Sequence, residues 1–261
     1  MSTQPQPWAL ILGASSGFGE ATALELARTG MNIFGVHLDR RATLPHAEEI
    51  QSAIRALGRE AVFFNVNAAD DERRREVLDA VAARQPSVKV LLHSIAFGSL
   101  LPYVSATGEK LASKAQLEMT CDTMAHSLVY WVQDLVARGL MTAGGRVYAM
   151  TSSGGTRAIP SYGPVSGAKA LLESHIRQLA LELAPFRITA NAIRAGVTDT
   201  PSLRKIPGSG KLIEFSTMRN PYRRLTTTED VAKCIAVLAH ENTYWMTGNT
   251  IGVDGGEDIV A

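Results

Sequence analysis

Cysteine is nearly missing: Cys121 and Cys234 are the only two in a chain of 261 residues. A disulfide framework is thereby excluded, and because neither lies in a CxxC or beside other ligand-type residues, both read as reduced helix or core residues. Metal chemistry has no foothold, since HxxxH, HExxH and spaced Cys/His sets are absent. An excess of one charge is lacking too. Lys and Arg total 26 against 25 Asp and Glu, which offers no field for a polyanion, so nucleic acid and an anionic membrane drop out as partners. No apolar run approaches the roughly 18–20 residues of a membrane span. The opening "MSTQPQP" has neither the basic nor the apolar region of an export signal, so the expectation is a cytoplasmic protein. Ser153 and Ser166 sit outside any GxSxG elbow, so neither reads as an acyl-transfer nucleophile.

What is present alternates. "WALILGASSGFGEATALELARTG" passes from a short apolar run through glycines into a helix pattern, with apolar or small residues at 21, 24, 27 and 31. "NIFGVHL", "EAVFFNVN", "VKVLLHSIAFG", "GGRVYAMTSS", "RITANAIRAG" and the closing "GNTIGVDGG" read as further strands. Helical patterns at 47–57, from "DDERRREVLDAVAARQ", at 113–138, at 165–183 and at 228–240 separate them. Strands divided by helices of this length imply an α/β fold, a single doubly wound domain over 1–261 with a parallel sheet and helices on both faces. Residues 201–227, rich in Pro, Gly and basic side chains, interrupt the pattern after the sixth strand. Ligands in such folds bind at the carboxyl ends of strands, so this segment is placed to be a substrate-binding loop, against the plainer reading of a variable surface loop.

"GASSGFG" places Gly13, Gly17 and Gly19 between a strand and a helix, with Ser15, Ser16 and Phe18 in the same turn. Glycine permits the tight turn and lets backbone amides at the helix start meet a pyrophosphate, which points to a dinucleotide site although the spacing is GxxxGxG. At the end of the second strand, "VHLDRR" sets Asp39 against Arg40 and Arg41. A carboxylate there favours NADH, and a basic group favours the extra phosphate of NADPH. Asp39 falls slightly past the usual position and His37 occupies the nearer one, so the expectation is NADPH held by Arg40 and Arg41, with NADH possible. Asn65 and Val66 end the third strand at the adenine side, Ser94, Ile95 and Ala96 end the fourth, and Gly196, Thr198 and Thr200 follow the sixth. All are cofactor-site candidates by topology. His93 reads as a hydrogen-bonded core histidine and Tyr103 as a packing residue.

Hydride transfer from a nicotinamide leaves negative charge on a substrate oxygen, which a site must stabilise or protonate. Tyr162 offers a hydroxyl just ahead of a helix, and Lys169, seven positions later, offers a cation that can lower the tyrosine pKa and grip the nicotinamide ribose. Ser152, ending the fifth strand, adds a second donor.

"GASSGFG", "NAIRAG" and "TGNTIGVDGG" resemble the short-chain dehydrogenase/reductases over essentially the whole chain. Ordinary members carry Tyr-x3-Lys; here Val165 fills that tyrosine position and Tyr162 lies one turn earlier. Tyr-x6-Lys, "HSIAF" and "RAIPSYGPVSGAKALLE" resemble the enoyl-[acyl-carrier-protein] reductases of that superfamily. The resemblance implies a Rossmann-type fold and NADPH-dependent reduction of a trans-2-enoyl thioester in fatty-acid synthesis. It also implies an acyl carrier protein as carrier, a homotetramer, Tyr162 stabilising the enolate and Lys169 holding the cofactor ribose. Two departures keep open an alternative, reduction of a 3-ketoacyl thioester or another carbonyl. Many enoyl reductases carry a second tyrosine ten positions before the catalytic one, where Ser152 stands, and that serine matches the ordinary catalytic serine. Against the alternative, "EMTCDTMAHSL" lacks the asparagine of ordinary members.

Overall fold

The computed structural model describes residues 6–260. Seven strands carry the chain's most apolar runs: β1 (Trp8–Leu12), β2 (Asn32–His37), β3 (Ala61–Asn65), β4 (Val88–His93), β5 (Arg146–Ser152), β6 (Thr189–Ala195) and β7 (Thr250–Val253). They pair in parallel in the order β3-β2-β1-β4-β5-β6-β7. β1, β2 and β6 are buried on both faces, which is why they read as continuous apolar runs and not as an alternation. The order reverses between β1 and β4, and a crevice opens outside the strand ends there.

The helices are α1 (Gly17–Arg28), α2 (Leu44–Ala56), α3 (Asp71–Ala82), α4 (Lys114–Cys121), α5 (Ser127–Ala137), α6 (Gly163–Glu182), α7 (Ser209–Arg219) and α8 (Thr228–Leu238). One core joins Val77, Leu78, Trp131, Leu135, Leu172 and Ile176 of α3, α5 and α6 to one face of the sheet. A second joins Leu26, Ile54, Val231 and Ile235 of α1, α2 and α8 to the other. This is the doubly wound, single-domain α/β architecture expected. Among the described residues no helix is long and apolar enough to cross a membrane.

Three local features depart from expectation. The region 113–138 is helical throughout, but residues Asp122–His126 form a π turn between α4 and α5. Segment 201–227 is not a plain loop: Gly208, at φ 77°, starts α7, whose polar outer positions had hidden its helical period. Pro45, in the first turn of α2, starts that helix at Leu44, ahead of the expected residue 47.

Leu26 is fully buried between α1 and the sheet. Leu26→Ala should lower the unfolding free energy by about 3 kcal/mol, measured as a shifted urea midpoint with an unchanged slope.

Candidate active site

The crevice forms a cavity of about 440 Å³ at the carboxyl ends of β1, β4, β5 and β6. Its cofactor side begins at the glycine turn. Gly13 has φ 91°, and a Cβ on it would strike the Ser94 carbonyl oxygen; a Cβ on Gly19 would strike the Gly13 carbonyl. The turn is thus pressed against the end of β4 and against its own helix, which only glycine allows. Gly13 and Ala14 donate to the Val36 carbonyl at 2.8 and 3.1 Å, tying the turn to β2. Ser16, Gly17 and Phe18 at the start of α1 line the cavity, as do Ser94, Ile95 and Ala96 after β4 and Gly196, Thr198 and Thr200 after β6. Thr198 Oγ1 donates to the Gly196 carbonyl at 3.0 Å and Thr200 Oγ1 accepts from Leu203 at 3.2 Å, so both hydroxyls shape their own loop.

The remaining cofactor candidates lie outside the cavity lining, at the ends of β2 and β3. His37 Nδ1 meets Asp39 Oδ2 at 2.8 Å. Burial pushes the Asp39 carboxyl up, but the Ser15 and Thr43 hydroxyls and the His37 ring outweigh it and hold it below its ordinary range. Asn65, expected either to reach the adenine end or to serve as a polar strand-end residue, accepts at Oδ1 from the Asp39 amide at 2.8 Å and donates from Nδ2 to the Asp39 carbonyl at 3.0 Å. Val66 donates from its backbone to the His37 carbonyl at 2.8 Å and packs beside the core. Arg40 and Arg41 are exposed, and neither has a carboxylate within ion-pair distance among the described residues. Crowded glycines, open helix-start amides and two exposed guanidinium groups fit a nicotinamide dinucleotide.

At the chemical end, Lys169 is buried in α6 and its Nζ donates to the Met150 carbonyl of β5 at 2.6 Å. Burial lowers its pKa to about 8, while Glu173, one turn on, pulls it back up. Glu173 is itself held by Thr151, whose hydroxyl donates at 2.7 Å. Tyr162 caps the start of α6, with Pro164 in the first turn fixing the helix entry. Lys169 was expected to lower the Tyr162 pKa, and the structure differs. Burial dominates and pushes the phenol above its ordinary range, and the Ser152 hydroxyl offsets only part of that push. Ser152 Oγ is buried and meets no hydrogen-bond partner of good geometry among the described residues. It lines the cavity beside Tyr162, the one tyrosine to do so among the described residues.

Other residues fall where their types suggested. His93 is fully buried, its Nε2 sits 2.9 Å from Ser127 Oγ, and burial drives its pKa down to about 3. Tyr103 lies against Gly163, where an added Cβ would come 2.7 Å from its ring. Cys121 and Cys234 are free and partly buried. Among the described residues no group of three or more His, Cys, Asp or Glu could hold a metal ion.

Several cavity residues escaped the sequence reading. Met124 is turned inward by the π turn, and Leu212, Phe215 and Arg219 come from α7. Glu257 arrives from the chain's last 3-10 turn, Glu257–Ile259.

The whole arrangement lies within residues 13–257, the span that matches the family model described as Enoyl-(Acyl carrier protein) reductase. The chain belongs to that family. It is therefore a short-chain dehydrogenase/reductase. Among curated relatives, the 1-cyclohexenylcarbonyl-CoA reductase of Streptomyces collinus is 31% identical over 255 residues, 97% of this chain and 87% of that protein. The 3-oxoacyl-[acyl-carrier-protein] reductase of Pseudomonas aeruginosa is 28% identical over 251 residues, 95% of this chain and 96% of that one. Among solved structures, the enoyl-[acyl-carrier-protein] reductase (NADH) from Aquifex aeolicus shares the fold, with a TM-score of 0.85, 24% identity and coverage of 98% of this chain and 97% of that one.

The lowered Lys169 pKa sets a pH expectation with opposite signs for activity and stability. Above about pH 8 the folded lysine loses its charge, so turnover should fall on the alkaline side. Between about pH 8 and the lysine's ordinary value near 10 the unfolded chain binds the extra proton, so this group adds stability as pH rises. A pH–rate profile beside urea unfolding at matched pH checks both.

Proposed function

We propose that the protein is an NADPH-dependent reductase of the carbon–carbon double bond in a 2-enoyl thioester. The observation that carries this reading is the place of the phenol. The position four before Lys169 holds Val165, buried in an apolar cluster with Met124 and Ala168, while Tyr162 stands at the helix entry seven before it. The phenol is thus displaced by about one helical turn, toward an oxygen conjugated to the reacting carbon and away from the reacting carbon's own position. The helix before β5 brings Met124 to the cavity and no amide side chain, in keeping with a double-bond substrate.

A nicotinamide dinucleotide bound along the glycine turn and the loops after β4 and β6 supplies the hydride. Ser16, Gly17, Ser94 and Thr198 are the residues that would hold it, with Arg40 and Arg41 receiving the phosphate of NADPH. Lys169, fixed by the Met150 carbonyl, presents a positive charge beneath the cofactor side of the cavity. Tyr162, a neutral phenol whose burial keeps it protonated, donates a hydrogen bond to the thioester oxygen as negative charge gathers there. Leu100, Met124, Ile159, Ile206 and Phe215 line the cavity with apolar surface suited to an acyl chain. α7 covers that chain as a substrate lid. Acyl carrier protein as carrier, a homotetrameric assembly and a cytoplasmic site belong to the same proposal and rest on the family resemblance.

A second reading, reduction of a 3-ketoacyl thioester or another carbonyl, is favoured by the Ser152 hydroxyl beside Tyr162, which can polarise a C=O together with the phenol. The relatives support this broader carbonyl-or-enoyl class better than any single enoyl substrate. The Pseudomonas reductase, named for a 3-oxoacyl thioester, aligns over 95% of this chain and 96% of its own.

Cofactor oxidation on crotonyl and medium-chain enoyl thioesters, run against matched 3-ketoacyl thioesters, separates the two. Turnover confined to the enoyl set, with kcat lowered about 100-fold or more in Tyr162→Phe, is the expected result; preference for the ketoacyl set would mean carbonyl reduction. Replacing both Arg40 and Arg41 by Ala should raise the Kd for NADPH about tenfold and leave that for NADH nearly unchanged, measured by cofactor fluorescence.

A further inference from the structure

The last turn of the chain is wired into the cavity from several sides. Glu257 is buried, and its Oε2 accepts from the backbone amide of Val197 at 3.0 Å, in the loop after β6 that lines the cofactor side. Its other oxygen, Oε1, lies 3.6 Å from Arg219 at the end of α7, and the Ser216 hydroxyl of the same helix helps draw the carboxyl's pKa down. Gly196 leaves the space for this: an added Cβ there would come 2.9 Å from Glu257 Oε2. The neighbouring Asp258 draws in Arg157 at 2.9 Å from the segment before α6 and Arg194 at 3.1 Å from β6. Asp254 carries the base of the turn, accepting from the backbones of Gly256 at 2.9 Å and Asp258 at 3.1 Å. Asn220, just past α7, donates to the Asp254 carbonyl at 2.8 Å.

One carboxylate therefore bridges two cavity-lining pieces, the loop at 196–200 and helix α7, that residues 201–208 otherwise join only along the chain. We propose that Glu257 is a positioning residue that couples the cofactor loop at 196–200 to the covering helix α7, so that ordering of the loop by a dinucleotide is passed to the substrate side. The carboxylate accepts a charge-assisted hydrogen bond from the Val197 amide and attracts the Arg219 guanidinium as a buried ion pair at 3.6 Å, so one group holds both pieces. Burial pushes this carboxyl above its ordinary range despite the Val197 amide, Arg219 and Ser216, so its place is one that the surrounding contacts have to enforce. The coupling does not depend on whether the substrate presents C=C or C=O.

Hydrogen–deuterium exchange of the full chain, with and without NADPH, tests this. In the wild type the cofactor should protect both 196–200 and 209–219. Glu257→Gln keeps an acceptor for the Val197 amide and loses the charge that attracts Arg219. It should therefore retain protection at 196–200, lose about half or more of it at 209–219, and raise substrate KM about tenfold with kcat changed less than about threefold. Arg219→Met should act alike, and the double variant should add nothing further. Equal protection of 209–219 in the wild type and both single variants would overturn the coupling. Should neither NADPH nor NADH protect 196–200 in the wild type, the cofactor assignment fails instead. Glu257 is then judged on the free protein, where Glu257→Gln must speed exchange in 209–219 severalfold or the proposal falls.

Discussion

A lysine ammonium shut away from water has to be satisfied by the protein, and the bond from Lys169 Nζ to the Met150 carbonyl does so. Because that carbonyl belongs to β5 and the lysine to α6, the contact fixes the helix against the carboxyl end of the strand. Everything chemical then follows from rigid geometry. Ser152 lies two residues beyond the accepting carbonyl, Thr151 between them anchors Glu173, and Tyr162 stands at the start of the same helix. A group unpaired at this depth would lose its charge or force the helix away. The bond is thus a condition of the site's existence as well as part of its chemistry.

Around that anchor the charges are graded. Burial brings the lysine's pKa down to about 8, pushes the phenol's above its ordinary range, and keeps His93 behind them neutral. Desolvation is the leading cause in all three, acting in opposite directions on cations and on acids. A single property of the crevice, its dryness, therefore sets a positive donor and a neutral donor side by side.

Much of this was legible in the chain. The alternation of apolar runs with helical periods fixes a parallel sheet, since a strand buried on both faces leaves a continuous apolar signature, and the glycine turn announces itself between β1 and α1. Tyr162 and Lys169 stood out because proline and glycine broke the pattern around them. What stayed hidden depends on long-range contact. α7 is short and mostly polar outward, so its period is drowned by the prolines and glycines on either side. Glu257 looks like any acidic residue near a chain end until β6, β7 and α7 converge on it. The upward shift of the Tyr162 pKa depends on burial, which spacing cannot report, and the amide of Asn65 is claimed by a loop that lies 26 residues away.

The π turn at Asp122–His126 carries one more residue per turn than the α-helix around it. It aims Met124 at the cavity while α4 and α5 continue on either side. Length matters here more than identity. Any residue of similar size can stand in the turn, whereas deleting one would restore a plain α-helix and rotate every side chain of α4 by about 100° relative to α5. Met124 would leave the cavity with no atom of it replaced, so relatives differing by a single residue in this helix would hold cavities of different shape on the same sheet.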